Sequence, residues 1–482
     1  MSGTPSASSP PKQTIFRKQP IIVILCCKPH SHFRAVDLWH FPDPPLTIAK
    51  GLRGLASVTV VLSHLSRAFV GEVFAAATDD QPPVWYQLPY VRLLFQGRLG
   101  VSVFALVTGY VCALKPIKLY RQDNPEAAFA AISKSALRRF PRLFFPAAIA
   151  TCLVWLLVET GLYTIAKHTD SFYLDVMSQP RIGNLGAALT KLVQEIAATW
   201  TKRKNDYDSA QWTMLPLLQE STAIYVFLVA TAYIRSRFRM LCALGMVVFY
   251  WLSSDGLFGI LGFFGIFLAE FQMDDFTNAF IGSQPIIAAV VSTFNILLGG
   301  WFASYPEANM EALAWSRNLH AFYVAILPPN PDIGHFSSSF GLMFIAFGIV
   351  LSPFLQKALS SKYLLFFGRM SFAVYLLHHS MMKTVLAWML YGVHTKPAHM
   401  NDKNQPEITR LEYPGHPTLL MWCIVWWPML YGVAYLWTQH VDPRCERLAN
   451  KLVEWMKLDS GKQSNGYLPM APLPPPQQQQ SA

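Results

Sequence analysis

Ten long apolar stretches constrain this chain more than any other feature. Each is roughly 17–25 residues long, the length of helix needed to cross about 30 Å of hydrocarbon. They run near 48–70, 93–114, 140–164, 212–234, 238–253, 255–271, 283–304, 338–355, 363–391 and 418–440. Only 14% of the residues are charged, against about 25% in ordinary soluble domains. The sequence therefore predicts an all-α polytopic membrane protein with about ten transmembrane helices.

The charge of the chain bears on its orientation in the membrane. The formal net charge is +11, and several groups of basic residues follow the second, fourth, eighth and tenth stretches. These are Lys115, Lys118, Arg121, Lys134, Arg138, Arg139, Arg142, Arg235, Arg237, Arg239, Lys357, Lys362, Arg444, Arg447 and Lys451. All fall on one side if both termini are cytoplasmic, as the positive-inside rule requires. The loop after the sixth stretch disagrees, because Glu270, Asp274 and Asp275 occur there without Lys or Arg.

The chain divides into three parts by composition. Residues 1–47 form an N-terminal segment, which is Ser- and Pro-rich at its start and which we expect to be cytoplasmic and partly disordered. Residues 48–455 contain every apolar stretch and read as one membrane domain. Residues 456–482 end in "PLPPPQQQQSA" and are predicted to be a disordered tail. The cysteines show no metal-binding spacing, so we predict no metal site.

Two polar residues stand on one face of the first stretch. Arg53 and His64 are eleven positions apart, which is close to three full helical turns and about 16 Å along the axis. Ionisable residues in a span usually face the bundle interior, a cavity or a partner. Arg can bind an anion, and a neutral imidazole can take a proton from a hydroxyl. The spacing also fits an Arg that extends to the headgroups and a His that only bonds another helix.

Four short motifs follow one another along the chain. They are "GLRGLASVTVVLSHL" at 51–65, "RLGVSVFALVTGYV" at 98–111, "ALRRFPRLFFP" at 136–146 and "FFGRMSFAVYLLHH" at 366–379. In this order they resemble the signatures of the acyltransferase 3 family of integral membrane acyltransferases. The closing "VDPRCERLANKLVEWM" is similar to the fungal branch of that family. The resemblance covers roughly residues 48–455, so it implies an acyltransferase 3 transmembrane domain there.

The resemblance implies transfer of an acyl group, most often acetyl, from acyl-CoA to a hydroxyl. It implies that His64 is the general base and that Arg53 completes the catalytic pair. The basic motif would bind the phosphates of acyl-CoA, because guanidinium groups bind phosphate bidentately. Its members are Arg138, Arg139 and Arg142. The same cluster also fits a topology signal that binds anionic lipid.

The expected partners follow from this reading. Acyl-CoA would be a co-substrate, with no permanently bound cofactor. The acceptor would be a hydroxylated small molecule, sugar or lipid, and the surroundings a lipid bilayer, with no nucleic acid involved. We expect a multi-pass protein of the endoplasmic reticulum or plasma membrane.

One motif departs from the family pattern. Family members often carry a Glu about five residues after a Trp, but here Leu217 occupies that position and Glu220 is the first acid. Glu220 is three residues away, close to one helical turn, so it can face the same way. A tunnel role and a simple buried hydrogen bond both remain open for Glu220.

The late motif contributes small and polar residues. Gly368 and Ser371 permit close helix contact, and Tyr375 and His378 lie about one turn apart on a shared face. We expect Ser371, Tyr375 and His378 to support the tunnel, mainly by packing. His379 is expected to point elsewhere.

Other functions also use intramembrane Arg, His and Glu. A proton-coupled transporter would do so, although paired repeats or broken helices, typical of such proteins, are not evident. An MBOAT-type acyltransferase would need a separate Asn signature that the sequence does not place. A non-catalytic protein of the same fold is the remaining alternative.

Overall fold

The computed structural model describes residues 44–78, 81–397, 399–400 and 406–456. The predicted N-terminal segment up to residue 43 and the predicted tail from residue 457 lie outside the described residues.

The described chain is almost entirely helical. Its α-helices are α1 Pro44–Phe69, α2 Gly97–Tyr120, α3 Pro125–Glu159, α4 Thr164–Lys167, α5 Phe172–Met177, α6 Leu185–Thr201, α7 Met214–Ala230, α8 Ser236–Leu252, α9 Phe258–Gln272, α10 Asp275–Ser283, α11 Pro285–Ala303, α12 Ala314–Ile326, α13 Ile333–Leu351, α14 Pro353–Leu359, α15 Lys362–Met381, α16 Ala387–Tyr391, α17 His416–His440 and α18 Asp442–Met456. Short 3₁₀ helices lie at Gly71–Phe74, Trp85–Gln87, Val91–Phe95 and Ser209–Thr213, and a π-helical segment lies at Met382–Leu386. Two-residue strands, β1 His399–Met400 and β2 Pro406–Glu407, pair antiparallel. The all-α fold class is confirmed.

Seven helices of the described chain are long and apolar enough to cross a membrane. They are Pro45–Phe69, Gly97–Tyr120, Pro125–Glu159, Ser209–Ala230, Pro285–Ala303, Ile333–Leu351 and His416–Met456. The other three predicted stretches are also helical, but α8 has 17 residues and α9 has 15. The third, α15, is 20 residues long and carries Lys362, Arg369 and two histidines. The chain is thus a multi-pass membrane protein, while the count of about ten spans is not confirmed.

Helix α1 lies in close contact with α15, and this contact brings the first and last motifs together. A Cβ atom added to Gly368 would lie 2.0 Å from the Lys50 carbonyl oxygen, and one on Gly54 would lie 2.6 Å from that of Leu364. Only glycine permits helix backbones to approach so closely, as at other small-residue interfaces in membranes. The predicted close contact at Gly368 is therefore present.

A buried ionic cluster lies where α2 and α9 end and α8 begins. Glu270 is fully buried and lies 2.9 Å from Arg121 and 3.2 Å from Arg239. The second contact, between Glu270 Oε1 and Arg239 Nε, lacks hydrogen-bond alignment. Glu270 thus neutralises two basic residues at the same end of the bundle. This pairing explains why an acid occurs in a loop that the charge pattern assigns to the basic side.

The segment between α3 and α7 contains helical structure rather than a plain loop. Ser171 caps α5 through its hydroxyl, which accepts the Leu174 N–H, and Asn184 caps α6 in the same way. Such caps satisfy N–H groups that the first helical turn leaves without partners. The Ser171 hydroxyl also donates to the Ala68 carbonyl near the end of α1. This contact places α5 beside His64.

Candidate active site

A cavity of about 530 Å³ opens among α1, α2, α3, α7, α15 and α18. That volume is within the range of small-molecule and cofactor sites. Six basic side chains line it, namely Arg53, Lys115, Arg138, Arg139, Arg142 and Arg369. Asp442 and Glu446 are the acids among its lining residues. The excess of positive charge suits a ligand with several negative groups.

The three arginines of the basic motif make few hydrogen bonds to the protein. Arg138 donates to the Asn450 side chain at 2.9 Å, and Arg139 donates to Thr108 at 3.3 Å. Arg142 is exposed and lies 4.0 Å from Glu446. Each guanidinium carries five N–H donors, so Arg138, Arg139 and Arg142 have donors beyond these contacts. The two contacts with α18 place this helix as one wall of the cavity.

The inner part of the cavity ends at Tyr375. The Tyr375 hydroxyl donates to the Ala210 carbonyl at 2.6 Å and lies 2.8 Å from the Thr213 hydroxyl. The ring of Phe104 packs edge-on against Tyr375, with centroids 5.6 Å apart. These contacts join α15 and α2 to the start of α7. Tyr375 therefore forms the wall between the cavity and what lies behind it.

Three histidines cluster behind that wall. The ring of His378 lies 6.0 Å from that of Tyr375 and 5.1 Å from that of His64. The ring of His379 lies 4.3 Å from that of His64. His378 and His379 are buried, whereas His64 is only half-buried. His64 is the member of the cluster that a reactant could reach.

Two residues from the segment before α7 join this cluster. The Tyr173 hydroxyl lies 2.7 Å from His64 Nδ1 and 3.2 Å from His379 Nε2. Asp208 Oδ1 lies 3.1 Å from His379 Nδ1. Burial raises the pKa of the Tyr173 phenol, so this group keeps its proton at neutral pH. Burial also raises the pKa of the Asp208 carboxyl, and neighbouring charges and N–H donors partly offset that rise.

The cluster has the composition of a metal site, so its fit to a metal needs a test. The ligand nitrogens of His64, His378 and His379 all lie within 4.8 Å of one another. However, Tyr173 and Asp208 are hydrogen-bonded to both nitrogens of His379 and to one nitrogen of His64. A metal that used all three rings would have to break the bond between Tyr173 and His379 or the one between Asp208 and His379. The hydrogen-bonded arrangement therefore fits these residues better than a metal does.

Comparison with known proteins identifies the family. The sequence profile of the acyltransferase domain called Acyl_transf_3 matches residues 48–438. The chain belongs to the acyltransferase 3 family. The predicted family is confirmed, and the chain is an acyltransferase of the membrane-embedded kind.

Similar curated proteins come from fungi. This acyltransferase is 26% identical to the O-acetyltransferase PaAT-1 of Phomopsis amygdali, over 70% of this chain and 72% of that protein. It is 24% identical to acyltransferase R4 of a Phoma species, over 70% of this chain and 83% of the relative. It is 23% identical to acyltransferase clz18 of Cochliobolus lunatus, over 75% and 89% of the two chains. No solved structure matches the acyltransferase.

The structure of the acyltransferase brings together some of the residues that the sequence singled out. Arg53, the basic motif and Tyr375 all line one cavity, and His64 contacts His378. His64 itself is not among the described residues that line this cavity. Tyr375 lies between the two parts.

Other predicted residues of the acyltransferase lie outside the cavity. Ser371 is buried and donates to the Gly368 carbonyl of its own helix at 2.9 Å, which agrees with a packing role. Glu220 is buried against Gly262 of α9, and neither of its carboxyl oxygens has a hydrogen-bond partner among the described residues. A buried hydrogen bond, one of the two roles left open for Glu220, is therefore not present among the described residues.

Sequence reasoning missed three residues of the acyltransferase site. His379 was expected to point elsewhere. Helix α1 packs against α15 between the side chains of His378 and His379, so both imidazole rings contact His64. Tyr173 and Asp208 lie in a segment that has no apolar stretch long enough to predict a membrane-spanning helix. The Ser171 cap before "FYLDVM" was the available signal for α5. No sequence signal pointed to Asp208.

Proposed function

We propose that this protein is an O-acyltransferase that moves an acyl group, most simply acetyl, from acyl-CoA to a hydroxyl group. The acceptor would be a small molecule, a sugar or a lipid. The Phomopsis relative is an O-acetyltransferase, which supports the acetyl group and the hydroxyl acceptor. The basic cavity supports acyl-CoA as donor, because guanidinium groups form strong bidentate contacts with phosphate.

The observation that carries the proposal is the position of the cavity relative to His64. The cavity runs from the basic motif to Tyr375, and the ring of His378 links Tyr375 to His64 over centroid distances of 6.0 Å and 5.1 Å. A donor with its phosphates at the basic motif would have its acyl end at Tyr375, and a movement of the Tyr375 side chain would then bring the thioester to the histidine cluster. Arg53 would contact the donor within the membrane.

The reaction then needs one base. His64 takes the proton of the acceptor hydroxyl as its oxygen attacks the thioester carbonyl. The carbon–sulfur bond breaks, an ester forms, and CoA leaves as the thiolate, which takes up the proton. General-base catalysis of this kind contributes about 10²–10⁴ in rate. No resident metal or cofactor takes part in the proposed reaction.

The direct test uses the purified full-length protein in detergent with radiolabelled acetyl-CoA and a mixture of candidate hydroxyl acceptors. Transfer of label to an acceptor, or slow hydrolysis without one, is the expected result. A proton-coupled transporter or a non-catalytic protein of this fold would show neither. Loss of particular acetyl esters from a deletion strain would identify the acceptor class.

Removing two positive charges from the basic motif should weaken donor binding. We expect Arg139→Ala with Arg142→Ala to raise KM for acetyl-CoA by about 10–100-fold, as charge-assisted contacts to phosphate are lost. The effect should shrink as salt rises, because added ions screen the same contacts. Measurement of KM for donor and acceptor separately checks this.

The matched control is Arg235→Ala with Arg237→Ala, which removes the same charge from exposed positions outside the cavity. Its KM should stay at the wild-type value. An unchanged KM in the Arg139 and Arg142 variant, with activity retained, would assign that pair to topology or lipid binding.

The topology accompanies this proposal. We propose that the chain crosses the endoplasmic reticulum membrane or the plasma membrane about ten times. Both termini would then lie in the cytoplasm, because this orientation makes the basic loops face the cytoplasm. Epitope tags at both termini should be cleaved by protease added to the cytoplasmic side of sealed vesicles. A protected C-terminal tag beside an exposed N-terminal one would require an odd number of spans.

A further inference from the structure

Asp208 shows which group donates the proton in each hydrogen bond of the histidine cluster. Its Oδ1 accepts the Ala210 N–H at 3.2 Å, and its Oδ2 accepts the Gln211 side-chain N–H at 3.2 Å. The Gln211 amide is held in this orientation because its oxygen accepts from the Asn205 side-chain N–H at 3.4 Å. The Asn205 amide is itself fixed, because its oxygen accepts the Tyr207 and Asp208 N–H groups. Both carboxyl oxygens thus face N–H donors, the pattern of an ionised, acceptor-only group.

An acceptor-only Asp208 fixes the next residue in the chain. His379 Nδ1, 3.1 Å from Asp208 Oδ1, must carry a proton to make that bond. A neutral imidazole carries one proton, so His379 Nε2 holds a lone pair. The Tyr173 hydroxyl, 3.2 Å from this nitrogen, must then donate its proton to His379.

A hydroxyl has one proton, so Tyr173 cannot also donate to His64. Its oxygen accepts instead, and the proton of that short contact of 2.7 Å belongs to His64 Nδ1. The lone pair of a neutral His64 is then on Nε2. Each group therefore donates to the next: His64 to Tyr173, Tyr173 to His379, and His379 to Asp208.

His378 does not take part in this chain of hydrogen bonds. Its Nδ1 donates to the Tyr375 carbonyl at 2.8 Å. Its Nε2 is buried and has no hydrogen-bond partner among the described residues.

We infer that Asp208, His379 and Tyr173 are positioning residues that hold His64 in the tautomer with its proton on Nδ1 and its lone pair on Nε2. The inference rests on the proposed function in one respect, that His64 is the base. When His64 takes the acceptor's proton on Nε2, its Nδ1–H stays bonded to Tyr173. The imidazolium that forms is thereby stabilised through to Asp208, with no proton passed along the chain. Sequence signatures alone do not name any of these three residues as part of the site.

The tautomer can be measured without any assay of activity. Full-length protein labelled with nitrogen-15 histidine gives different ring signals for protonated and unprotonated nitrogens, and the His64 signals are those missing from a His64→Asn sample. We expect a protonated Nδ1 and an unprotonated Nε2 in His64. In Tyr173→Phe, which keeps the ring and removes the hydroxyl, the His64 signals should change to a mixture of tautomers.

Kinetics provide a second readout. Tyr173→Phe should lower kcat by about 10–10²-fold, as expected for weaker general-base catalysis, while KM for acetyl-CoA changes less than about twofold because the basic cavity is untouched. The matched control is Tyr163→Phe, since the buried Tyr163 hydroxyl has no partner among the described residues. His379→Gln, whose amide oxygen can still accept from Tyr173, should retain more kcat than His379→Ala.

Each failure has its own signature. Wild-type protein that transfers no acyl group, yet shows the expected His64 tautomer, overturns the proposed function and leaves the chain intact. An unprotonated His64 Nδ1 in the wild type, or an unchanged kcat in Tyr173→Phe, overturns the inference alone. Loss of activity on treatment with a chelator, restored by Zn²⁺, would mean that the three histidines hold a metal instead, and would also overturn it.

Discussion

Replacing His64 with alanine is expected to lower the rate of acyl transfer by about 10²-fold or more, the contribution typical of a general base. Binding of acyl-CoA should be largely retained, because the phosphates would contact the basic motif in a cavity that His64 does not line. Alanine removes an ionisable group from α1 and adds no charge, so membrane insertion should not suffer. Single-turnover rates and donor affinity, measured separately on purified protein, check both parts.

The controls for His64 follow from the structure. His440→Ala changes an exposed histidine at the end of α17, outside the cluster, and should leave the rate unchanged. His378→Ala should cost less than His64→Ala, because the buried His378 bonds carbonyl groups of its own helix. Near-normal turnover in His64→Ala with a defined acceptor would make His64 structural and would remove the proposed mechanism.

The largest expected effect on stability is at Glu270. Replacing it with alanine leaves Arg239, which is 3% exposed, as a buried charge without its carboxylate. Breaking a buried ion pair in this way costs about 3–5 kcal/mol, and we expect the apparent Tm in detergent to fall by about 5 °C or more. Size-exclusion chromatography with intrinsic fluorescence after heating measures this loss.

Two variants sharpen the Glu270 result. Glu270→Gln keeps a hydrogen-bond acceptor for Arg121, so its Tm should fall less than that of Glu270→Ala. Asp275→Ala removes the same charge from an exposed position in α10 and should leave Tm unchanged. Equal stability of Glu270→Ala and wild type would mean that the two arginines reach solvent or lipid headgroups and do not need the carboxylate.

Local patterns predicted the parts of this protein that depend on one helix. The spacing of Arg53 and His64 places both on one side of α1, and the basic motif on α3 does line the same cavity as Arg53. Gly368 predicted a close helix contact because a small residue lets two helix backbones approach each other in a membrane.

The parts that depend on several segments could not be predicted in this way. Tyr173 and Asp208 reach His379 and His64 from opposite ends of a segment of about 50 residues, and neither has a sequence neighbour in the cluster. Adjacent positions on a helix point about 100° apart, so the sequence predicted that His379 would face away from His378 and His64. The prediction was wrong because His64 of α1 lies between the directions in which the two histidines point. Seven of the ten predicted stretches are long and apolar enough in the described chain to count as spans, because hydropathy alone does not show whether lipid or protein surrounds an apolar helix.

The wall formed by Tyr375 also bears on the permeability of the membrane. A wide, positively charged cavity that continued to the opposite face would be a channel for anions, and it would dissipate ion gradients in the cell. The Tyr375 hydroxyl is bonded to the Ala210 carbonyl and to Thr213, and Phe104 packs against its ring. This barrier is built from the same helix that carries His378 and His379. With Tyr375 held in this way, the basic cavity and the histidine cluster stay separate among the described residues.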